Sequence, residues 1–521
     1  MTAADELRPS GHNPWLIAFV VSIATFMEVL DISIANVALR HIAGSVSASY
    51  DQATWILTSY LIANAVILPL SGWLSTVIGR KRFYMQCVGL FTASSLLCGL
   101  AWNLNWLILF RVLQGLGGGG LAPSEQSILA DAFAPEKRGQ AFAVYGVAVV
   151  VAPTIGPTLG GLLTDYASWN WIFFINVPMG LLSLLLVSSL VREPRRSPRP
   201  LRRGVDFIGF ILVALGLGCL EIVLDEGQRN DWFQSNFIII FAVIAAISLL
   251  ALIPWELSRS NPIVDVRLLG RRQFGTCFLV MLIVGVVLFS TIQLMPQLVQ
   301  NEFGYTATLA GLSLSPGGFA TMLLMPVAGY LTGKVQPKYL IAGGFAVLAL
   351  SMWHLTGLNG DITFSYAVWA RIYTAVALPF LFIPITTASY HGLSGADTNQ
   401  AAGLINVARN LGGSIGVASI QTVLQQRQQF HQSRLVENTV PSDIHYQVAV
   451  HKAIEFLTSS GASVVDAMQQ ANALIMTTIM KQATLLSYID AFWILTVVSI
   501  LAIPAAFILR PTTLGKQPMA H

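Results

Sequence analysis

Charge is scarce in this chain. Asp, Glu, Lys and Arg make up only 10% of its 521 residues, against about a quarter in a soluble globular domain, so a water-facing shell around a core of this size cannot be built. The net charge is small as well, formally +4 from 29 basic and 25 acidic residues, which gives no footing to nucleic-acid binding. Cysteine is rarer still. Cys87, Cys98, Cys219 and Cys277 each fall inside an apolar run and form no CxxC pair, so they read as buried thiols, with neither a disulfide framework nor a thiolate metal site. A Walker lysine loop, an HExxH pair and paired Cys–His spacings are all missing, which leaves ATP drive, a metal centre or another cofactor without support. What remains is apolar: 55% hydrophobic residues and a mean hydropathy of +0.67. The chain reads as an all-α integral membrane protein with many spans.

Windows of about 20 apolar residues place fourteen spans near 15–39, 53–71, 83–101, 106–130, 139–162, 170–190, 205–224, 233–257, 273–297, 306–331, 339–356, 364–387, 399–425 and 487–509. The first follows a polar start containing Pro9 and Pro14 and ends without a small-residue cleavage pattern, so it reads as a retained span and not a signal peptide. An even count puts both termini on one side. With the amino terminus inside, that side collects Arg8, Arg80, Lys81, Arg82, Lys137, Arg138, the cluster from Arg192 to Arg203, Arg259, Arg267, Arg271, Arg272, Lys334, Lys338, Arg510 and Lys516, while the short outer connections hold only Arg40 and Arg229. Basic residues concentrate on the cytoplasmic face, so both termini are expected in the cytoplasm.

Gly72 to Arg82, GWLSTVIGRKR, is expected to be a short cationic turn between the second and third spans. Gly72, Trp73, Leu74, Ser75 and Lys81 have counterparts at Gly329, Tyr330, Leu331, Thr332 and Lys338, at a constant offset of 257 residues that also carries Gly146 to Gly403 and Gly156 to Gly413. The expected organisation is an amino-terminal six-helix bundle (1–190), a basic cytoplasmic linker (191–204), two inserted helices (205–257), a second linker (258–271), a carboxy-terminal six-helix bundle (272–510) and a cytoplasmic tail (511–521). Parallel repeats around a central cavity are a common architecture for alternating-access carriers. The long outer connection 426–486, with Pro441, is either a solvated hairpin of helices or a docking surface for an extracytoplasmic partner.

Ionisable residues inside apolar spans either pair with one another or face a cavity. Glu28 and Asp31 share one face of the first span, and Arg111 in the fourth lies at a depth that allows an Asp31–Arg111 pair. Burial opposes the charged carboxylate and a neighbouring arginine favours it, so such an acid, Asp31 ahead of Glu28, can exchange a proton as access alternates; the alternative is a static ion pair. Glu125, beyond the breakers Gly117–Gly120 and Pro123, is a second titrating or cation-contacting group or an acid facing the headgroups. Arg371, Asn406 and Arg409 either hold the two halves together or contact a bound anion. Pro153, Gly156, Pro157, Gly160 and Gly161 in the fifth span favour a hinge or a sealed contact at the repeat interface.

These motifs resemble the major facilitator superfamily, and within it the fourteen-span drug:proton antiporters, most closely the EmrB-like multidrug exporters. The loop signature is matched by Gly72, Gly79, Arg80, Lys81 and Arg82, the first-span signature by Leu30 to Ala38, the fourth-span signature by Arg111, Gln114 and Gly115, and the antiporter signature by Gly156, Pro157, Gly160 and Gly161. Further agreement runs through WIFFINVPMG, Asp231–Phe233, Asn261–Asp265, Gly304–Ala307, Arg409–Asn410 and Gly412–Gly416. The resemblance implies a bacterial inner-membrane protein that exports hydrophobic or amphipathic compounds in exchange for protons. It further implies a periplasmic adaptor protein and an outer-membrane channel as partners. Thr76 stands where the family usually carries an acid, which puts a charge latch there in doubt; Glu28 and Glu125 stand where neutral polar residues are expected. Two other readings compete: a dedicated exporter of one metabolite, siderophore or lipid-like molecule, and a non-transporting scaffold or sensor.

Overall fold

In the computed structural model, residues 13–191 and 206–511 are described, except 261, 361, 394, 438 and 441. The basic linker 192–204, Arg8, Asn261, Pro441 and the tail with Lys516 therefore lie outside the described residues. The described chain is helical throughout: α1 (Pro14–Ser45), α2 (Tyr50–Ile78), α3 (Arg80–Gly99), α4 (Leu104–Gly118), α5 (Leu121–Ala132), α6 (Arg138–Tyr166), α7 (Trp171–Phe174), α8 (Asn176–Leu190), α9 (Phe207–Glu226), α10 (Asn236–Ser258), α11 (Arg267–Gly270), α12 (Arg272–Asn301), α13 (Ala307–Thr332), α14 (Pro337–Leu355), α15 (Phe364–Ser389), α16 (Gly395–Val436), α17 (Ile444–Ser459) and α18 (Val464–Ala506). Among the described residues, eleven helices are long and apolar enough to cross a bilayer. The chain is a multi-pass membrane protein.

Local chemistry sets where the helices begin. Asn13 caps α1 ahead of Pro14, and Ser49 with Gln52 forms a capping box at α2. Asn103, Thr306, Thr363 and Ser463 accept from the first-turn amides of α4, α13, α15 and α18. These side chains satisfy backbone donors that hydrocarbon would leave bare.

Helices α1 to α8 pack among themselves, chiefly α1 on α6, α2 and α3 on α4, and α3 on α8. Helices α12 to α18 form a second set through α12 on α16, α13 on α15, and α14 on α15 and α18. The two sets meet along α6 with α13 and along α2 with α16, and α9, paired with α10, lies against both α2 and α16.

Two expectations change, and the helical reading of 426–486 gains its bounds. Gly72–Arg82 is not an extended turn: α2 runs on to Ile78, Arg80–Arg82 open α3, and Gly79 alone leaves the helix, at φ 96° and ψ 140°. That region is open to glycine and closed to residues with a Cβ, so one residue turns the chain. The fourth span is two helices, broken at Gly119 and Gly120. Most of the 426–486 connection is helix: α16 continues to Val436, α17 stands between, and α18 starts at Val464. Nothing between Gln426 and Val436 interrupts helical hydrogen bonding, because that stretch holds neither proline nor glycine.

Candidate functional site

Asp31 and Glu28, one turn apart on α1, have different company. Asp31 is buried beside α4, with Arg111 Nη1 2.5 Å from its Oδ2. Gln114 Nε2 and Asn176 Nδ2 donate to Asp31 Oδ1 at 2.9 and 2.7 Å. Arg111 is itself fixed, donating from Nε to the Ile56 carbonyl at 3.1 Å and lying 4.4 Å from the Tyr60 ring centroid. Ser95 accepts from both amides and donates to the Phe173 carbonyl. A carboxylate with one charged donor and two amide donors is matched where it stands.

Glu28 has only neutral partners. Asn64 Nδ2 donates to its Oε1 at 3.0 Å and the Tyr60 hydroxyl at 3.3 Å, both from α2. Gly118 at the end of α4 leaves room for both side chains: a Cβ there would run into the Tyr60 hydroxyl and stand 3.3 Å from Asn64 Nδ2. Asn64 Oδ1 accepts in turn from Asn410 Nδ2 of α16 at 3.5 Å, Asn410 Oδ1 accepts from Arg409 Nε at 3.3 Å, and Arg409 Nη1 donates to the Tyr145 hydroxyl of α6 at 3.1 Å. A polar chain therefore leads from the acid in α1 across to the second set of helices and back.

Glu125 of α5 is fully buried and accepts from the hydroxyls of Ser22, at 2.6 Å, and Thr25, both on α1. It does not face the headgroups. Its neighbour Gln126 reaches the other way, its Oε1 accepting from Tyr390 at 3.2 Å and from Asn406 Nδ2 at 3.0 Å.

The end of the bundle that carries Gly79 is closed by close backbone approaches. A Cβ on Gly72 would sit 2.7 Å from the Asn399 carbonyl oxygen in α16, and one on Gly329 would sit 2.8 Å from the Gly139 carbonyl oxygen in α6. The Phe142 and Tyr390 rings stack at 5.5 Å and those of Tyr145 and Phe382 at 5.8 Å. Asn399 Nδ2 donates to Thr76 Oγ1 at 3.4 Å, so the position without an acid makes a neutral contact. Arg80 pairs with Asp131, and Lys81 Nζ donates to the Ser188 carbonyl at 2.7 Å. Arg82 stands with them in the first turn of α3.

Two acids inside one helix, a buried guanidinium and two sets of helices packed against each other suit a membrane carrier, and comparison with known proteins decides which. A sequence model of the Major Facilitator Superfamily matches residues 21–417. The chain belongs to the major facilitator superfamily. Within the superfamily, it is 38% identical over 480 residues to the multidrug export protein EmrB of Haemophilus influenzae, covering 92% of each chain. It is 33% identical over 491 residues to the fatty acid resistance protein FarB of Neisseria gonorrhoeae, covering 94% of this chain and 95% of that one. It therefore belongs with the EmrB-type exporters, transporters and not enzymes. The solved structure of the human organic anion transporter MFSD10 shares the fold, with a TM-score of 0.57 at 13% identity over 94% of this chain and all of that one.

This member of the superfamily departs from the sequence reading in its fifth span. Pro153 and Pro157 lie inside the unbroken helix α6. Gly156 and Gly160 face Ser33 and Ile34 of α1, within the first set of helices, and a Cβ on Gly161 would meet nothing within 4 Å. The contact of α6 with the second set is made instead by Gly139, Gly146, Thr154 and Thr158. Arg409 and Asn406 do reach across to the first set, whereas Arg371 makes no such bond among the described residues and packs its stem against Gly317 of α13. Tyr60, Asn64, Ser95, Gln126, Tyr145 and Tyr390 are not singled out by the sequence, whereas Asn410 stands beside Arg409 in both readings. The one available signal was Tyr60 and Asn64 at i and i+4 in an otherwise apolar helix.

Proposed function

We propose that this chain exports hydrophobic and amphipathic compounds in exchange for protons by alternating access, with Glu28 as the acid that exchanges. The polar chain from Glu28 through Asn64 to Asn410 carries this reading, because it makes the charge on Glu28 felt in the contact between the two sets of helices. Asp31 keeps a charged partner in Arg111, so removing its charge leaves a buried cation uncompensated. Glu28 forms no ion pair: its hydrogen-bond donors are neutral and the Arg409 charge acts on it only from a distance, so it takes up a proton without breaking a buried ion pair. In the cycle, protonation from outside discharges the site and releases the compound, and deprotonation toward the cytoplasm restores it. Aromatic and apolar side chains hold the cargo with a few polar groups.

Fourteen spans follow from adding α3, the broken pair α4 with α5, and the first part of α16 to the eleven apolar helices. The basic start of α3, the glycine break after α4 and the polar start of α16 explain their lower hydropathy. The bundles 1–190 and 272–510, the linkers 191–204 and 258–271, the inserted pair 205–257 and the tail 511–521 remain the proposed organisation. The paired close approaches of Gly72 to α16 and Gly329 to α6 support the repeat. The distribution of basic residues supports a cytoplasmic Gly79 end and cytoplasmic termini for a protein of the bacterial inner membrane, with the Gly79 end closed in this conformation. Helices α16 and α18, of 42 and 43 residues, are each about 60 Å long, twice the hydrocarbon thickness. With α17 they form a projecting hairpin suited to meet a periplasmic adaptor and, through it, an outer-membrane channel.

The test is uptake of acidic, neutral and cationic dyes into inverted vesicles with and without an imposed proton gradient. Accumulation that depends on the gradient is expected. Equal accumulation after the gradient is collapsed would reject proton coupling.

A further inference from the structure

Arg371 lies about two turns into α15, inside the span, and among the described residues no acid pairs with it. Its Nε and Nη1 are buried and meet no hydrogen-bond acceptor among the described residues, whereas Arg111 is paired with Asp31 and Arg80 with Asp131. An arginine at membrane depth persists where it faces a pathway or a partner.

The helix geometry says which way it faces. Arg371 and Phe382 are eleven residues apart, three turns with about 20° to spare at 3.6 residues per turn, so they share one face of α15. Phe382 is the side chain that stacks on Tyr145 of α6 and lies 5.8 Å from the Arg409 guanidinium. Arg371 therefore stands on the face of α15 turned to the first set of helices, about 16 Å along the axis from that aromatic layer. The neighbouring α13 leaves room for its stem: a Cβ on Gly317 would fall 2.6 Å from Arg371 Cγ, while the next residue, Gly318, abuts Thr154 of α6. Arg371 thus sits where α6, α13 and α15 come together. The acids of the first set cannot serve it in this conformation, since Asp31 is held by Arg111, Glu28 by Asn64 and Tyr60, and Glu125 by Ser22 and Thr25.

We propose that Arg371 is a charge-selecting residue of the transport path. It binds the ionised acid group of an amphipathic compound, a carboxylate or similar oxyanion, whose apolar body lies along the junction of α6, α13 and α15. This rests on the export reading and adds a substrate class to it. The guanidinium offers parallel N–H donors that match an oxyanion, and the ligand supplies the counter-charge that the protein does not. Compounds without an acid group gain nothing from it.

The experiment uses the full chain in detergent and a matched pair of fluorescent probes, pyrenebutyrate and its neutral analogue pyrenebutanol. Arg371→Gln is expected to weaken pyrenebutyrate binding about tenfold, with Arg371→Lys between it and the wild type, and pyrenebutanol binding equal in all three. Gly317→Ala, which displaces the stem without touching the charge, is expected to weaken pyrenebutyrate alone. Unchanged pyrenebutyrate binding in Arg371→Gln, or equal losses for both probes, would overturn the proposal. Binding in detergent needs no gradient. A wild type that binds pyrenebutyrate through Arg371 but accumulates neither probe in energised vesicles would refute the export reading and leave the anion site standing.

Discussion

Glu28→Gln separates the two intramembrane acids. Glutamine keeps the Oε1 that accepts from Asn64 at 3.0 Å and from Tyr60 at 3.3 Å, so the side chain loses its proton site and keeps its shape. Both hydrogen bonds become neutral ones, each worth about 0.5–1.5 kcal/mol, and no buried charge is stranded. The folded protein is therefore expected to keep its thermal midpoint within a few degrees. The effect falls on coupling. Each proton exchanged across one pH unit contributes about 1.4 kcal/mol, a factor of about ten in the substrate ratio that can be held. If Glu28 is the exchanging acid, the ratio for a neutral dye in proteoliposomes, with the membrane potential clamped and one pH unit imposed, drops by about tenfold per lost proton. Downhill exchange of labelled dye continues, because alternation without proton movement is still permitted. A Glu28→Gln protein that holds the wild-type ratio under the same gradient would refute the assignment.

Asp31→Asn should behave differently. It leaves Arg111 buried without its counter-ion, and breaking such a pair costs about 3–5 kcal/mol, so a clear fall in the unfolding midpoint is expected in detergent; an unchanged midpoint would argue against a structural ion pair. Gly72→Ala places a methyl group 2.7 Å from the Asn399 carbonyl oxygen and must push α2 from α16. A cysteine at Thr76 should then react with an aqueous maleimide several-fold faster in the Gly72→Ala background, a test made simpler by the burial of all four native cysteines. Replacing residues 437–463 by a short linker should leave dye uptake by inverted vesicles intact and abolish crosslinking to a co-expressed adaptor; undiminished crosslinking would place the adaptor elsewhere.

The Asp31–Arg111 pair was legible because intramembrane charges are so few that matched depths nearly determine partners. Eleven of the fourteen expected spans were legible for the same reason, since hydrocarbon permits few alternatives to a continuous apolar helix. The neutral partners of Glu28 were not. Tyr60 and Asn64 look like any packing residues in an apolar run, and their role depends on how far the glycines of α4 let two helices approach. Gly156 and Gly160 show a different limit. A glycine in a membrane helix announces close contact but does not name the neighbour, and here the neighbour is α1 instead of the second set. The length of α16 was hidden because its outer part is polar, and hydropathy marks where a helix leaves the membrane without saying whether it ends there.

Helix α9 touches both partners of one crevice. Asp225 accepts from Thr58 and Arg229 donates to Thr54 at 2.6 Å, both on α2, while Glu221 accepts from Ser414 at 2.7 Å and Gln228 from Thr422 at 2.7 Å, both on α16. Any rocking that parts α2 from α16 must break one of these attachments, so the added pair of helices rides with one half and slides on the other. The molecule is thereby lopsided: one flank is bridged by the acids and hydroxyls of a third element, whereas the α6–α13 flank is sealed by direct packing, with Gly139 against Gly329 and Gly318 against Thr154.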